Sequence, residues 1–388
     1  MTHSTSPVLK VAIVHDYIKE YGGAERVLEA LGEIYPEAPI YTAFCDKSST
    51  AYERFKNRKI VQSWAAQIPF FPKLASPLRF LTPLIWGSFN FSDYDLVISS
   101  ASWYVTKGFG TNQSLEGRKP VEICYCHTPP RWLYGYNTSI NFQKFLIVRL
   151  YAKVVGSFIR NYDFKRAQKV NYFIANSQEV QARIKKFYQR DSIVIYPPVS
   201  LPAVGNTERQ DYYFIVSRIV GAKGLDLAVE AAVKKGFSLK IAGSPAGYYF
   251  EHNKLIKKSE GDNSERKPKE KVEFLGQVTD EELAKLYKGA KAFLALAKDE
   301  DFGITPVEAM LSGTPVIAFN GGGYKETVIN GKTGILFDDY SVNGLIEAIK
   351  KFEKTKINSK DCIEQAKKFS KDRFKHEIED FVDSRLAK

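Results

Sequence analysis

Asp299-Glu300-Asp301-Phe302-Gly303-Ile304-Thr305-Pro306-Val307-Glu308-Ala309-Met310 is the stretch whose reading decides the fold. It sets Glu300 and Glu308 on either side of a glycine and a Thr-Pro pair. Thr305 suits an N-cap, Pro306 suits the first helical position, and Glu308 follows Thr305 by three residues. Together they predict a capping box and a helix that begins at Thr305. Gly313 and Pro315 stop that helix after two turns, and Val316-Ile317-Ala318-Phe319 reads as a buried strand. A loop that runs into a helix N-terminus offers backbone N–H groups and the positive end of a dipole, which suits a phosphate. Glu300, in the loop, would repel phosphate, so it is expected to face hydroxyls or a developing positive charge.

Upstream, the pattern is a strand at 291–297, a helix at 280–289, and strands at 272–275, 238–242 and 212–218. Gly221-Ala222-Lys223-Gly224 forms a turn into a helix over 225–235, and residues 257–271 read as a solvated, mobile loop. Downstream lie the glycine turn Gly321-Gly322-Gly323 with Glu326, then three helical patterns near 342–353, 359–369 and 373–386. The first half keeps the same rhythm. A buried strand, Lys10 to Asp16, leads through Tyr21-Gly22-Gly23-Ala24-Glu25 into a helix that reaches Gly32, and Tyr94 to Ser100 is another strand. Val121 to His127 is broken by Pro129 and Pro130, Val170 to Ser177 leads into a helix over 178–188, and Val194 to Val199 follows. A polar stretch at 204–211 marks the domain boundary. This βαβα alternation in both halves implies an α/β protein of two parallel, doubly wound sheets with a cleft between them. His127 then stands at a strand's carboxyl end, where ligands bind in such sheets.

The bulk numbers agree with a globular chain. At 388 residues, 44% hydrophobic and 26% charged, the chain has room for two globular domains. No apolar run of about eighteen residues occurs. Met1 to Pro7 has no apolar signal core, so a cytoplasmic location is expected. Cys45, Cys124, Cys126 and Cys362 form no C-x-x-C pair and read as reduced thiols. A net charge of +12 admits nucleic acid, an anionic membrane or an acidic substrate. No nucleic-acid module signature is present. Residues 52–91 interleave Arg54, Lys56, Arg58, Lys59, Lys73 and Arg79 with Trp64, Phe70, Phe71, Leu74, Phe80, Trp86 and Phe89. The helix expected over 142–166 sets Arg149, Lys153, Arg160 and Lys165 beside an apolar stripe. Both read as candidate faces for an anionic membrane, peripheral on the inner side. For 52–91 a proline-broken pair of core helices is the equal alternative.

With these residues in hand, the chain resembles the retaining glycosyltransferase family 4, which has the GT-B fold of two Rossmann-like domains facing across a cleft. The resemblance rests on Glu300-x7-Glu308 in its Phe-Gly-Ile-Thr-Pro setting, on Gly22-Gly23-Ala24-Glu25, on Ser217-Arg218 followed by Lys223-Gly224, and on Phe274-Leu275-Gly276. His127-Thr128-Pro129-Pro130-Arg131-Trp132 further resembles the branch of bacterial mannosyltransferases that assemble polysaccharides and glycolipids. The family implies an acceptor-side domain over 1–203, a nucleotide-sugar domain over 204–372, and a helix from 373 to 388 that crosses back to the first domain. It implies that Arg218 and Lys223 bind the donor diphosphate with backbone N–H groups at Gly303, Ile304 and Thr305. Glu308 would hold the ribose, Glu300 the donor sugar, and Gly22 and Gly23 the distal phosphate. His127 would meet the sugar near its anomeric centre, and the base would lie by Gly276, Gln277 and Val278. The donor expected is a nucleotide sugar, GDP-mannose foremost, and the acceptor a glycan or lipid-linked glycan. No cofactor and no metal are expected, because two cations already oppose the leaving phosphate; the D-x-D triplets at Asp93 and Asp299 then read as coincidence. A catalytically silent binding partner on the same fold and a nucleotide-sugar epimerase stay open.

Overall fold

The structure is a computed structural model that describes residues 9–110, 120–136, 146–205, 207–219, 223–244, 255–256 and 271–386. Met1 to Pro7, residues 142–145, Gly221, Ala222 and the 257–270 part of the expected loop lie outside the described residues. The chain divides into two compact units. Unit 1 comprises Met1–Tyr136, Gln143–Pro198 and Lys371–Lys388; unit 2 comprises Asn137–Phe142 and Val199–Ser370.

Unit 1 is built on seven parallel strands, β1 (Val11–His15), β2 (Ile40–Thr42), β3 (Ile60–Gln62), β4 (Leu96–Ala101), β5 (Val121–Cys126), β6 (Tyr172–Ala175) and β7 (Ser192–Val194). Their order is β3-β2-β1-β4-β5-β6-β7. The longer helices are α1 (Gly23–Ile34), α2 (Leu146–Ala167) and α3 (Gln178–Tyr188). Every residue of β1 and of β4 is buried, as strands covered on both faces require. On one side Val27, Leu28 and Leu31 of α1 share a core with Ile13, Ile98 and Ile123. On the other, Phe44, Phe71, Ile85 and Trp86 pack on Ala12, Val14 and Val97.

Unit 2 repeats the plan with six parallel strands: β8 (Tyr213–Val216), β9 (Leu239–Ala242), β10 (Val272–Gly276), β11 (Ala292–Ala295), β12 (Val316–Phe319) and β13 (Gly334–Phe337). Their order is β10-β9-β8-β11-β12-β13. The longer helices are α4 (Leu225–Lys235), α5 (Asp280–Gly289), α6 (Ile304–Leu311), α7 (Val342–Lys354) and α8 (Ser359–Lys367). α5 starts on a true capping box in which Thr279 and Glu282 satisfy each other's backbone N–H. The last helix, α9 (Lys371–Leu386), belongs to unit 1, where Phe374, Ile378 and Val382 join the core shared by β1 and α1. In both units the strand order reverses beside the first strand, at β1 and at β8, and ligands of open α/β sheets bind at that switch point.

Three features depart from the expectations. The three-residue strands β2, β3 and β7 and the edge strand β13 carry no alternation or long apolar run by which to find them. Segment 52–91 splits between the two readings. Phe71, Ile85 and Trp86 are core, whereas Trp64, Phe70, Leu74, Phe80 and Leu84 are exposed. A buried ion pair also appears: Lys107 Nζ donates to Asp163 Oδ1, and both side chains are essentially without solvent exposure. The Tyr134 hydroxyl donates to the other Asp163 oxygen at 2.7 Å.

Candidate functional site

In unit 2 the chain after β11 turns through Lys298 to Gly303 and enters α6. The start of α6 corrects the expected capping box. The helix begins at Ile304, its N-cap is Gly303 at φ +86°, and no side chain caps it. Thr305 therefore falls inside the first turn. Glu308 does not reach back to the N-terminus, because its carboxylate is drawn into the core, where the Tyr287 hydroxyl of α5 donates to Oε2 at 2.8 Å. With Gly303 as its N-cap, α6 starts without a side-chain cap, which keeps its N–H groups and positive dipole end suited to an anion.

The loop before α6 is held by backbone. Gly323 N–H donates to the Glu300 carbonyl at 2.9 Å. A Cβ on Gly322, whose φ is +54°, would lie 2.1 Å from that same carbonyl oxygen. The glycine triplet is therefore a platform on which the 298–302 backbone rests directly. Tyr324 follows it, buried, and its hydroxyl donates to Glu300 Oε2 at 3.4 Å. Burial first, and then the Glu300 charge, hold the Tyr324 phenol far above its ordinary pKa, so it is a donor and never a phenolate here.

Lys223, just before α4, donates from Nζ to Glu300 Oε2 at 2.7 Å. The two side chains retain 30% and 18% exposure, so the pair is reachable from solvent. The family resemblance implies a phosphate role for Lys223 and a sugar role for Glu300; the structure brings the two side chains into contact. Arg218 lies two residues past β8 with its side chain exposed, beside the close approach of Ser217 and Gly243 where a Cβ would meet the Ser217 carbonyl at 1.9 Å. Val278 is half-buried in the turn between β10 and α5.

In unit 1 the switch point carries a second cluster. His15 ends β1 and is the register partner of Ser100 on β4, and His127 directly follows β5. Ser100 Oγ lies 3.0 Å from His15 Nδ1 and 2.8 Å from His127 Nε2. His15 Nε2 stands 3.5 Å from Glu25 Oε1, and the other Glu25 oxygen accepts the Gly22 N–H at 3.0 Å. Gly22 and Gly23 thus form the entry to α1 beside this cluster, with Gly22 at the N-cap. His127 is 8% exposed, and above all burial lowers its pKa to about 3, so it is neutral at physiological pH. Beside it Asp16 accepts from the N–H groups of Ser102 and Trp103 and from the hydroxyls of Ser102 and Thr106, which fixes the loop after β4.

His15, Ser100, Tyr287 and Tyr324 were not singled out from sequence. His15 could have been, since it ends a central strand as His127 does. The others become visible only once distant segments meet. Among the described residues no group of three or more His, Cys, Asp or Glu is placed to hold a metal ion.

Two doubly wound parallel-sheet units with these strand orders define the GT-B class of fold. Residues 198–369, nearly the whole of unit 2, match the family model for glycosyl transferases group 1. An uncharacterized glycosyltransferase of Methanocaldococcus jannaschii is 26% identical over 56% of this chain and 59% of its own length. The alpha-1,3/1,6-mannosyltransferase of Mus musculus is 26% identical over 69% of each chain. Among solved structures, Anabaena HepE in complex with UDP and glucose aligns with a TM-score of 0.69 at 18% identity, covering 97% of this chain and 100% of that one. The aligned region spans 59% of the archaeal relative, short of the full length of that protein.

Proposed function

We propose that the chain is a retaining glycosyltransferase that moves a sugar from a nucleotide-sugar donor to a glycan or lipid-linked acceptor in polysaccharide or glycolipid assembly. The observation that carries this reading is the joint position of Lys223, Glu300 and the uncapped start of α6, all inside the segment that matches the family model. Arg218 and Lys223 neutralise the departing diphosphate, and the N–H groups at Gly303, Ile304 and Thr305 receive its oxygens. Lys223 waits on Glu300 until the diphosphate, a stronger partner, draws it away. Glu300 then faces the donor sugar, whose ring gains positive charge as the glycosidic bond to phosphate breaks. Glu308, oriented by Tyr287, takes the ribose hydroxyls, and the base lies by Val278. In unit 1, Gly22 and Gly23 are the residues proposed for a distal phosphate oxygen, and His127 the residue proposed for a sugar hydroxyl. Retention follows from front-face attack, with the leaving phosphate oxygen accepting the acceptor's proton.

GDP-mannose is the favoured donor, supported by the His127-Thr128-Pro129-Pro130-Arg131-Trp132 motif and by a relative named for mannosyl transfer. The glucose and UDP bound in HepE favour the competing choice. A panel of nucleotide sugars incubated with the purified chain is expected to show hydrolysis or transfer strongest with GDP-mannose. Turnover of UDP-glucose alone would replace the donor, isomerised donor without release of nucleoside diphosphate would favour an epimerase, and inertness toward all donors would favour a silent binding partner.

A peripheral place on an anionic membrane is part of the same proposal. No described helix is long and apolar enough to cross a membrane. On α2, however, Leu146, Leu150, Val154 and Phe158 recur every fourth residue, and each is more than half exposed. Arg149 and Lys153 flank them, and the Tyr151 hydroxyl donates to the Pro77 carbonyl at 2.5 Å, which ties this stripe to the exposed Phe70, Leu74, Phe80 and Leu84. Sedimentation with anionic vesicles is expected to be salt-sensitive, and Leu150→Asp with Val154→Asp is expected to weaken it at least about tenfold, given roughly 1.5 kcal/mol or more per large apolar side chain. Binding that ignores both salt and these substitutions would count against a membrane face.

A further inference from the structure

The cluster at the unit 1 switch point has one internal logic. Ser100 owns a single hydroxyl proton and sits between two imidazole nitrogens, so it donates to one and accepts from the other. The choice is made at the far end. An ionised Glu25 carboxylate can only accept, so the His15 nitrogen facing it, Nε2, carries the proton. With that proton on Nε2, the His15 ring offers a bare Nδ1, which takes the Ser100 proton. Ser100 is left to accept from His127 Nε2. We infer that Glu25, His15 and Ser100 are positioning residues that hold His127 as its Nε2–H tautomer, leaving Nδ1 bare to accept a hydrogen bond from a hydroxyl of the donor sugar.

The hydroxyl partner rests on the transferase reading above; the tautomer does not. Every member is fixed by the sheet. His15 and Ser100 are adjacent in strand register, Ser100 is wholly buried, and the His127 N–H donates to the Ala101 carbonyl at 2.9 Å. Glu25 is held in turn by the Gly22 N–H, which gives the Gly-Gly-x-Glu sequence a second use besides opening α1. A bare nitrogen on His127 selects a donor of hydrogen bonds, which a sugar hydroxyl is and an ionised phosphate oxygen is not. The relay therefore suits His127 to a sugar hydroxyl and not to a phosphate oxygen.

Long-range proton–nitrogen correlation spectra of the full chain labelled with 15N-histidine decide this without any assay. The His127 resonances are identified by their loss in His127→Asn. The expected pattern is a protonated Nε2 and an unprotonated Nδ1 in the wild type, with Ser100→Ala giving a mixture of tautomers. In transfer assays Ser100→Ala is expected to lower kcat about tenfold, the net worth of one hydrogen bond, with little change in KM. An Nδ1–H His127 in the wild type would overturn the relay even if transfer is intact, as would an unchanged tautomer in Ser100→Ala. The expected spectra from a chain inert toward every donor would instead uphold the relay and overturn the transferase reading.

Discussion

Glu300→Ala is expected to lower sugar transfer by about a thousandfold, the upper range for removing one charged group that acts on the transition state. The fold should not change, because the 298–302 loop is held by its backbone. The Glu300 carbonyl accepts from Gly323 N–H, and the three glycines leave no gap beneath it, so deletion of the side chain leaves the entry to α6 in place. What disappears is the carboxylate that holds Lys223 at 2.7 Å and accepts from Tyr324. Glu300→Gln keeps the shape and loses the charge; the electrostatic role predicts that it is nearly as inactive as alanine. Initial rates with the donor selected from the panel, together with thermal melting, check this. Turnover within a few fold of wild type in either variant would remove Glu300 from the chemistry.

The second large effect is on stability, in unit 1. Lys107→Met leaves Asp163 as a charge with no solvent exposure and without its cationic partner, although the Tyr134 hydroxyl still donates to it. The expected cost is about 3–5 kcal/mol, because the desolvation of a buried ion is no longer offset by its partner. Denaturant unfolding measures it. The double variant Lys107→Met with Asp163→Asn should recover most of the loss, since both charges are gone while Tyr134 keeps an oxygen to which it can donate. A double variant as unstable as the single one would mean that packing around Lys107, and its cation–π contact with Tyr188 at 4.8 Å, matters more than charge.

Much of the fold could be read from residue order. The long central strands announce themselves as apolar runs, and α5 is marked by Thr279 and Glu282 at capping spacing. The three-residue strands could not be read, because their pairing is decided by the neighbour they join. The capping-box expectation at Thr305 failed for a related reason. Spacing shows which residues can reach each other locally, but Glu308 had a better partner in Tyr287, twenty-one residues earlier in the chain, and the buried hydrogen bond prevailed. Segment 52–91 was ambiguous in sequence because aromatic residues look alike whether they end in a core or on a surface.

By itself the sequence determined the two doubly wound sheets, the Glu300 loop and its helix, and the basic character of the chain, since each is a property of neighbouring residues: periodicity, glycine and proline punctuation, and charge. Only the tertiary structure decided that Lys223 rests on Glu300, that Tyr287 and Tyr324 orient the two carboxylates, and that His127 is joined through Ser100 and His15 to Glu25. Those contacts link residues that lie on separate strands and helices. Parallel sheets place the ends of distant segments side by side at the strand-order reversal, and the partner each side chain meets there is set by register, which no local pattern encodes.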